Sequence, residues 1–225
     1  MKKSEFWESC FIGKQTMWGF EPAESAIAAK DFFIREKAGD ILIPGIGYGR
    51  NASVFLDAGM NVTGIEISKT AIELARTRNR LDIPIYHGPV AGMPFDDRLY
   101  DGIFSYALIH LLNRKERNKF IRDCYRQLKP GGSMFFSCIS KNDPMYGSGR
   151  EISKDRFEMP SGITLFFYDP DSIRQEFGNC GLTDFPGIDE PVKFMQNHPP
   201  MKFTLIKCKK IRFPATLGCI ESGWQ

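Results

Sequence analysis

Three glycines at alternate positions follow a short apolar run, and one carboxylate ends the next apolar run along the chain. The glycines are Gly45, Gly47 and Gly49, and the carboxylate is Glu66. Alternate glycines let a tight turn adopt positive φ and let a ligand approach bare backbone. A carboxylate at the tip of the following strand can accept hydrogen bonds from both hydroxyls of a ribose. This combination predicts a binding site for a cofactor that contains a nucleoside.

The spacing of the glycines narrows the class of cofactor. A dinucleotide fingerprint needs the pattern G-x-G-x-x-G, but its last position is occupied here by Arg50. The arginine side chain would obstruct the close approach of a pyrophosphate that the third glycine normally permits. Because the sequence also shows no proton-relay pair, a nicotinamide-dependent oxidoreductase is disfavoured.

Length and composition set the outer bounds on the fold. The 225 residues suit one large domain, with enough core for a sheet covered by helices. The six cysteines lack C-x-x-C spacing and the three histidines are dispersed, so we expect no metal site and reduced thiols. The first residues lack the apolar core of a signal peptide, and no stretch reaches the roughly 18 apolar residues of a membrane span. We therefore expect a soluble, cytoplasmic protein without a membrane partner.

The charge pattern argues against a nucleic-acid partner. The net charge is only +3, and the one basic cluster lies near the end of the chain, at Lys207, Lys209, Lys210 and Arg212. Nucleic-acid binders usually show a larger basic face with interleaved aromatic residues. We interpret the cluster as the solvated end of a strand.

Apolar runs with the lengths and bounds of strands alternate with segments of helical periodicity. Strands are expected at residues 40–44, 62–67, 83–86, 101–106, 133–139, 182–185 and 202–208. Helices are expected at residues 51–58, after a Ser68 cap, after a capping box formed by Asn113 and Glu116, and after Asp169-Pro170. This alternation predicts a mostly parallel sheet covered on both faces, with ligands beyond the carboxyl ends of its strands.

Five motifs occur in the order of a known family. They are the glycine turn, Glu66, Met93-Pro94-Phe95-Asp96, the strand at 101–106, and the turn Leu128-Lys129-Pro130-Gly131-Gly132. Together they resemble a class I S-adenosylmethionine-dependent methyltransferase. The resemblance implies an α/β, Rossmann-like three-layer sandwich whose seven strands have the order 3-2-1-4-5-7-6, with the last strand antiparallel. It also implies one methyltransferase domain over 1–225: a cofactor-lid segment at 1–38, a cofactor-binding core at 39–140, a substrate-side region at 141–210 and a tail at 211–225.

The resemblance assigns the cofactor, S-adenosyl-L-methionine, to particular residues. The three glycines would lie against its methionyl part, Glu66 would bind the ribose, and Ile67 would lie under the adenine. Pro89 stands where the family often has an acid at the adenine edge, so that contact must come from water, a backbone carbonyl or a neighbouring residue. The implied cofactor-binding residues are Trp18, Gly45, Ile46, Gly47, Gly49, Asn51, Glu66, Ile67, Pro89, Val90, Ser105 and Tyr106.

Two departures from the family pattern indicate a branch. Ile43-Pro44 stands where many members carry an acid, and this is closer to the turn of thiopurine, thiol and halide methyltransferases. The Trp-rich segment before it resembles the entry segment of that branch, in which Trp18 would be part of a lid; the alternative is that Trp18 is a plain core anchor. Against this branch, residues 105–112 follow the commoner small-molecule methyltransferase pattern.

Methyl transfer is an in-line displacement that mainly requires alignment and exclusion of water, so a catalytic residue is not identified from the sequence. If a base is used, Tyr106 and His110 are the candidates, although His110 would equally line the pocket or bond locally. Trp18, Tyr106, His110 and Tyr146 are the predicted substrate-lining residues, and Tyr146 is alternatively an ordinary surface residue. We expect a small-molecule acceptor and a monomer or homodimer. A thiol, chalcogen or tellurite-type acceptor and a non-catalytic S-adenosylmethionine-binding module are the alternatives.

Overall fold

The computed structural model describes residues 3–192 and 199–212. Most of the tail predicted at 211–225 therefore lies outside the described residues, as does His198. Ile211 and Arg212 are the residues of that tail that the structure describes.

A mixed sheet runs through the centre of the fold. Its strands are β1 (Asp40–Pro44), β2 (Asn61–Glu66), β3 (Ile85–His87), β4 (Tyr100–Tyr106) and β5 (Leu128–Ile139), followed after a small separate sheet by β9 (Leu182–Asp184), β10 (Gly187–Glu190) and β11 (Met201–Lys209). The strand order is β10-β11-β5-β4-β1-β2-β3, and β9 pairs with β11 beside β10. The strands from β1 to β5 pair in parallel, whereas β11 is antiparallel to β5, β9 and β10.

The predicted order 3-2-1-4-5-7-6 is confirmed, with β9 and β10 together taking the place of strand six. The interruption between them falls at Phe185 and Pro186, and proline cannot donate to a sheet ladder. The turn predicted at 128–132 lies instead inside β5, where the register with β4 shifts between Tyr100 and Gly102.

Helices cover both faces of this sheet. They are α1 (Lys3–Lys14), α2 (Glu24–Arg35), α3 (Ser53–Asp57), α4 (Lys69–Thr77), α5 (Arg114–Gln127) and α6 (Pro170–Phe177), with short 3-10 turns at Val90–Gly92, Ile109–Leu111 and Gly178–Cys180. No helix within residues 3–192 and 199–212 is long and apolar enough to span a bilayer.

Alternate residues of the central strands enter two separate hydrophobic clusters, which is the expected period-2 pattern of a sheet buried on both faces. Leu42, Ile103 and Phe136 pack with the residues of α5 and α6. Ile41, Phe104 and Phe135 pack on the opposite face with residues of α2 and α3. The three layers therefore follow directly from the alternation along β1, β4 and β5.

A second, three-stranded antiparallel sheet lies between β5 and α6 in the chain and was not predicted. Its strands are β6 (Arg150–Ser153), β7 (Arg156–Glu158) and β8 (Thr164–Phe166). Phe157 and Leu165 bury its inner side against Ile139 and Phe203. Part of the region expected to face the substrate is thus a small sheet packed on the end of β5.

The three predicted helix caps are present. The Ser68 hydroxyl accepts the Ala71 N–H at 3.0 Å, and both Asn113 with Glu116 and Asp169 with Ser172 form capping boxes. In the first box, the Asn113 side-chain oxygen accepts the Glu116 N–H at 3.0 Å. These bonds satisfy N–H groups that have no partner within the helix.

Replacing the cap of α5 should lower stability without changing the fold. We expect Asn113→Ala to reduce the free energy of unfolding by about 1 kcal/mol, because the Glu116 N–H loses its acceptor. Urea unfolding followed by circular dichroism measures this change. Asn113→Ser is the matched control, since serine also caps; equal losses for both variants would show that the cap bond is not the cause.

Candidate cofactor and acceptor site

The glycine turn connects β1 to α3, and its three glycines stand in different surroundings. Gly45, Gly47 and Gly49 all have positive φ, at 72°, 58° and 85°. A Cβ on Gly49 would lie 2.2 Å from the Leu81 Cδ1 atom, whereas a Cβ on Gly47 would meet only the Phe11 Cζ atom at 3.9 Å. Gly49 is therefore required by packing. At Gly47 the space beside the bare backbone is open, which suits close approach of a ligand.

Ile46, between these glycines, points into the protein. Its side chain is buried and lies against Gly64 of β2, where an added Cβ would stand 2.8 Å from the Ile46 Cδ1 atom. The N–H groups of Gly45 and Ile46 both donate to the Ile65 carbonyl, at 2.8 and 3.1 Å. Any cofactor contact of Ile46 would therefore come from its backbone.

Glu66 ends β2 and is only 5% exposed. One carboxylate oxygen accepts the Gly47 N–H at 2.8 Å, and the other accepts the N–H groups of Ile67 and Ser68 at 2.9 Å each. Burial raises the pKa of this carboxyl, and the three backbone bonds oppose the shift. A carboxylate has about four acceptor sites, so capacity remains for a ligand hydroxyl. The carboxylate also ties the glycine turn to the end of β2.

The aromatic residues before β1 pack onto the glycine turn. The rings of Trp18 and Tyr48 are parallel, with centroids 6.2 Å apart and an angle of 10° between planes. Phe11 of α1 meets the Tyr48 ring edge-on at 6.3 Å, and Trp7 lies 6.2 Å from Trp18. The Tyr48 hydroxyl donates to the Gly19 carbonyl at 2.7 Å and accepts the Trp18 N–H at 3.1 Å. The structure thus packs Trp18 on the turn, and its role as a lid residue stays a prediction.

Polar contacts hold the same segment in place. The Arg50 Nη1 atom donates to the carbonyls of Trp18 and Glu21, at 3.1 Å each. The Asn51 side-chain oxygen accepts the Ala23 N–H at 2.9 Å. The Asn51 oxygen thus positions the start of α2, and cofactor binding by Asn51 stays a prediction.

A carboxylate of α1 fixes that helix to α4. The Glu8 oxygens accept the hydroxyls of Ser68 and Thr70 at 2.6 Å each. Burial raises the pKa of Glu8, but these hydrogen bonds outweigh it and the net pKa is lowered. Because α4 begins at Lys69, the Glu8 charge also lies at a helix N-terminus, where anions are stabilised.

The residues predicted at the adenine lie together after β2 and β3. The Ile67 carbonyl is 3.1 Å from the His87 Nε2 atom, and the Gly88 N–H donates to the Glu66 carbonyl at 2.8 Å. Pro89 is exposed, whereas Val90 is buried in the core. The side chain of Val90 therefore packs inward, and Pro89 offers the exposed surface.

Ser105 and Tyr106 end β4 next to the glycine turn. The Ser105 hydroxyl is buried and donates to the Pro44 carbonyl at 3.4 Å. The Tyr106 ring stacks on Phe203 with centroids 5.9 Å apart, and the Arg50 Cζ atom lies 5.2 Å from its centroid. Burial and the charge of Glu190 raise the pKa of Tyr106. At neutral pH the phenol therefore stays protonated, which makes it a hydrogen-bond donor and not a base.

His110 is 5% exposed in the 3-10 turn after β4. Its Nδ1 atom accepts the Ile139 N–H at 3.2 Å, so the proton of the neutral ring is on Nε2. Burial lowers the pKa of His110 to about 3. The ring has no free lone pair for proton removal, and the structure favours the local hydrogen-bonding role over the role of base.

Tyr146 is 40% exposed and packs on the small sheet. Its ring meets Phe157 and Phe167 edge-on at 5.4 and 5.5 Å, and its hydroxyl donates to the Asp155 carboxylate at 2.9 Å. Its aromatic partners are thus residues of that sheet and its flank, not Tyr106 or His110.

Glu190 is a buried residue of the site that sequence reasoning missed. It ends β10, is 2% exposed, and accepts the N–H groups of Glu24 and Ser25 at 3.0 Å each. Ala23 occupies the N-cap of α2 and provides no side-chain acceptor, so Glu190 caps this helix from a distant strand. The local sequence indicates a distant cap only through Ala23, whose side chain cannot cap the helix.

Among residues 3–192 and 199–212, no group of three His, Cys, Asp or Glu side chains is placed to hold a metal.

Residues 42–136 match a family model described as a methyltransferase domain. Over these 95 of the 225 residues, the chain is similar to methyltransferase domains. The glycine turn, Glu66 and the end of β4 all fall within this matched range, which is where the methyltransferase family places its cofactor.

This chain is similar to part of the length of several curated proteins. A probable S-adenosylmethionine-dependent methyltransferase of Mycolicibacterium smegmatis is 29% identical over 120 residues, which is 52% of this chain and 44% of the relative. The tRNA N(3)-methylcytidine methyltransferase Mettl2 of Drosophila melanogaster is 23% identical over 206 residues, or 80% of this chain and 62% of the relative. The chain thus spans about half the length of these two relatives.

Solved structures share the fold of this chain. A Burkholderia thailandensis 1,6-didemethyltoxoflavin-N1-methyltransferase with bound S-adenosylhomocysteine has a TM-score of 0.70 at 16% identity, covering 92% of this chain and 87% of that one. TehB from Haemophilus influenzae has a TM-score of 0.62 at 16% identity, covering 90% and 66%. These likenesses show the fold, and the acceptor branch stays a prediction.

The two glycine environments predict different costs of an added methyl group. We expect Gly49→Ala to lower the free energy of unfolding by about 2–4 kcal/mol, because positive φ and the clash with Leu81 act together. Gly47→Ala should cost only about 1 kcal/mol, since positive φ is its sole penalty. Urea unfolding of both variants gives the difference. Equal costs would contradict the packing role of Gly49.

The buried neutral state of His110 predicts a loss of stability in acid. Its folded pKa of about 3 lies below the ordinary 6.5, so between these values the unfolded chain binds a proton that the folded protein does not. Stability therefore falls as pH drops below 6.5, by at most about 1.4 kcal/mol per pH unit from this residue.

The matched control is His110→Asn, whose side-chain oxygen can accept the Ile139 N–H but does not titrate. Unfolding by urea at several pH values between about 7.5 and about 5 compares the two proteins. The wild type should lose more stability than the variant across this range. Parallel pH profiles would show that His110 does not titrate as described.

Proposed function

We propose that the protein transfers a methyl group from S-adenosyl-L-methionine to a small-molecule acceptor at the carboxyl ends of β1, β2 and β4. The observation that carries this proposal is the Glu66 carboxylate bound to the Gly47 N–H beside open backbone. The turn offers bare backbone and the carboxylate offers acceptor capacity, so these residues fit the cofactor. Because the relatives extend beyond this chain, its complete activity is part of the proposal.

Different residues would bind different parts of the cofactor. The glycine turn would bind the methionyl part, Glu66 the ribose, and Ile67 with Pro89 the adenine, whose contacts would come from backbone groups. The end of β4 would face the methyl group, which the bound cofactor supplies already activated on a sulfonium. The segment 1–38 would act as the lid, with Trp18 and Phe11 excluding water from the turn.

Exclusion of water matters more here than proton transfer. Tyr106 stays protonated and the His110 lone pair accepts the Ile139 N–H, so neither is in a state to remove a proton. The chain would act by holding donor and acceptor in line and by closing the lid. This supports an acceptor that needs no base, such as a thiolate, and keeps the thiol or chalcogen alternative.

The basic cluster at the end of β11 supports a small molecule over tRNA. Lys209 forms an ion pair with Glu36 at 2.6 Å, and the Lys210 Nζ atom donates to the Arg126 and Leu128 carbonyls at 3.1 and 2.7 Å. Lys207 lies over the Phe32 ring at 3.7 Å. These lysines are engaged locally, in agreement with a solvated strand end. The tRNA-modifying relative nevertheless makes tRNA the second candidate, to be tested alongside.

The Glu66 carboxylate should control cofactor affinity. We expect Glu66→Gln to weaken binding of S-adenosylhomocysteine by about tenfold or more, because a charge-assisted hydrogen bond to the ribose is lost. Isothermal titration calorimetry measures the affinity. Glu73→Gln, which changes an exposed carboxylate on α4, is the control and should bind as the wild type does.

The acceptor class is tested with methyl-labelled S-adenosylmethionine. We expect label to enter the small-molecule fraction of a cell extract, supplemented with a panel of thiols, and not total tRNA. Label in tRNA would contradict the small-molecule proposal. Tight cofactor binding without any transfer would favour a binding module, and binding of NADH without binding of S-adenosylhomocysteine would overturn the methyltransferase assignment.

A further inference from the structure

Arg50 places a positive charge next to the end of β4, and no carboxylate of the described residues forms an ion pair with it. We propose that the Arg50 guanidinium binds the nucleophilic group of the acceptor, and that this group is an anion such as a thiolate or a phenolate. This inference rests on the proposed function and specifies its acceptor.

The guanidinium has spare hydrogen-bond donors. It carries five N–H donors, and the bonds to the Trp18 and Glu21 carbonyls both come from Nη1. Within residues 3–192 and 199–212, no carbonyl or carboxylate accepts a hydrogen bond from its Nε or Nη2, and no carboxylate lies within 4.0 Å of the group. The two backbone bonds therefore hold the guanidinium, and the Tyr106 hydroxyl is a further side-chain partner. Because the group has five N–H donors, donors remain for a ligand.

The guanidinium also lies over the ring of Tyr106. The Arg50 Cζ atom lies 5.2 Å from the ring centroid, a distance at which the ring face attracts a cation. Phe203 supports the ring by stacking at 5.9 Å. Since Tyr106 is the last residue of β4, Arg50 faces the edge of the sheet where the family places the transferable methyl.

Two buried carboxylates of the site, Glu190 and Glu66, form no ion pair with Arg50, although the Arg50 charge opposes the rise that burial causes in the pKa of Glu190. Both Glu190 oxygens are engaged by the N–H groups of Glu24 and Ser25 at the start of α2, and the helix N-terminus offsets that negative charge. Glu66 is engaged in the same way by Gly47, Ile67 and Ser68. An anionic ligand would give Arg50 an ion-pair partner, which no carboxylate of residues 3–192 and 199–212 provides.

The absence of a base among Tyr106 and His110 also favours an anionic acceptor. Neither Tyr106 nor His110 is in a state to remove a proton, and an acceptor that already presents its lone pair as an anion needs no such removal. That pair forms the new bond to the methyl carbon, the carbon–sulfur bond of the sulfonium breaks, and its electrons stay on sulfur. The charges of acceptor and sulfonium cancel, and no proton moves.

The probe for this proposal is 4-nitrophenol, which ionises near neutral pH and changes its absorbance when it does. We expect the full chain, saturated with S-adenosylhomocysteine, to bind the phenolate at least about tenfold more tightly than the neutral phenol. The apparent pKa of the bound probe should fall accordingly. The groups that face Arg50 and titrate are Tyr48 of the turn, Tyr106 of β4 and Glu190 of β10, and the probe absorbance separates its ionisation from theirs.

Two variants and a control decide the outcome. Arg50→Gln should abolish the preference for the phenolate, Arg50→Lys should retain part of it, and Arg78→Gln, at an exposed position of the α4 C-terminus, should retain all of it. A wild type without preference, or an Arg50→Gln variant that keeps it, would overturn the proposal.

The affinity for S-adenosylhomocysteine is measured separately for every variant, because Arg50 also holds the segment 18–21. Failure to bind this ligand at all would contradict the proposed function. Normal binding with no discrimination between phenol and phenolate would contradict only the role of Arg50.

Discussion

The site depends on a buried carboxylate that is bonded to backbone and not to a cation. An isolated carboxylate in the interior is costly, and hydrogen bonds must offset the loss of hydration. Glu66 obtains three such bonds, and one of them comes from Gly47 across the gap between β1 and β2. That bond requires the Gly47 N–H to point at β2, which the positive φ of the turn allows. The conformation of the turn and the burial of the acid therefore support each other.

The same turn uses its backbone and its side chains for different tasks. The backbone of Gly45, Ile46 and Gly47 bonds to β2, whereas the side chains of Arg50 and Asn51 bond to residues before β1. Any movement of the turn is therefore transmitted to the segment that covers it. In a methyltransferase this arrangement would couple occupation of the cofactor site to closure of the lid without a separate hinge element.

The parts of the fold that were predictable from sequence are those fixed by short-range chemistry. The caps at Ser68, Asn113 and Asp169 act on residues three positions away, and all three are present. The buried strands around β1 and β4 also follow from local apolar runs.

The features that were not predicted from the sequence depend on contacts between distant segments. The small sheet of β6, β7 and β8 is short, and its outer strand β6 is fully exposed, so it shows little hydrophobic pattern. The cap of α2 comes from Glu190, 165 and 166 positions away along the chain. Likewise, the His110 lone pair is taken by an N–H of β5, and no pattern around His110 indicates that partner.

Two positive charges would meet at the acceptor position, the sulfonium of the donor and the guanidinium of Arg50. Alone, each raises the electrostatic cost of placing the other in a site of low dielectric. An anionic acceptor between them would remove that cost, so donor and acceptor should each increase the affinity for the other by the same factor. The product cofactor is an uncharged thioether at sulfur, and this mutual support therefore ends once the methyl group has moved. A fixed cation near the methyl would thus favour the complete reactant complex over either partial complex, and would do so without a base.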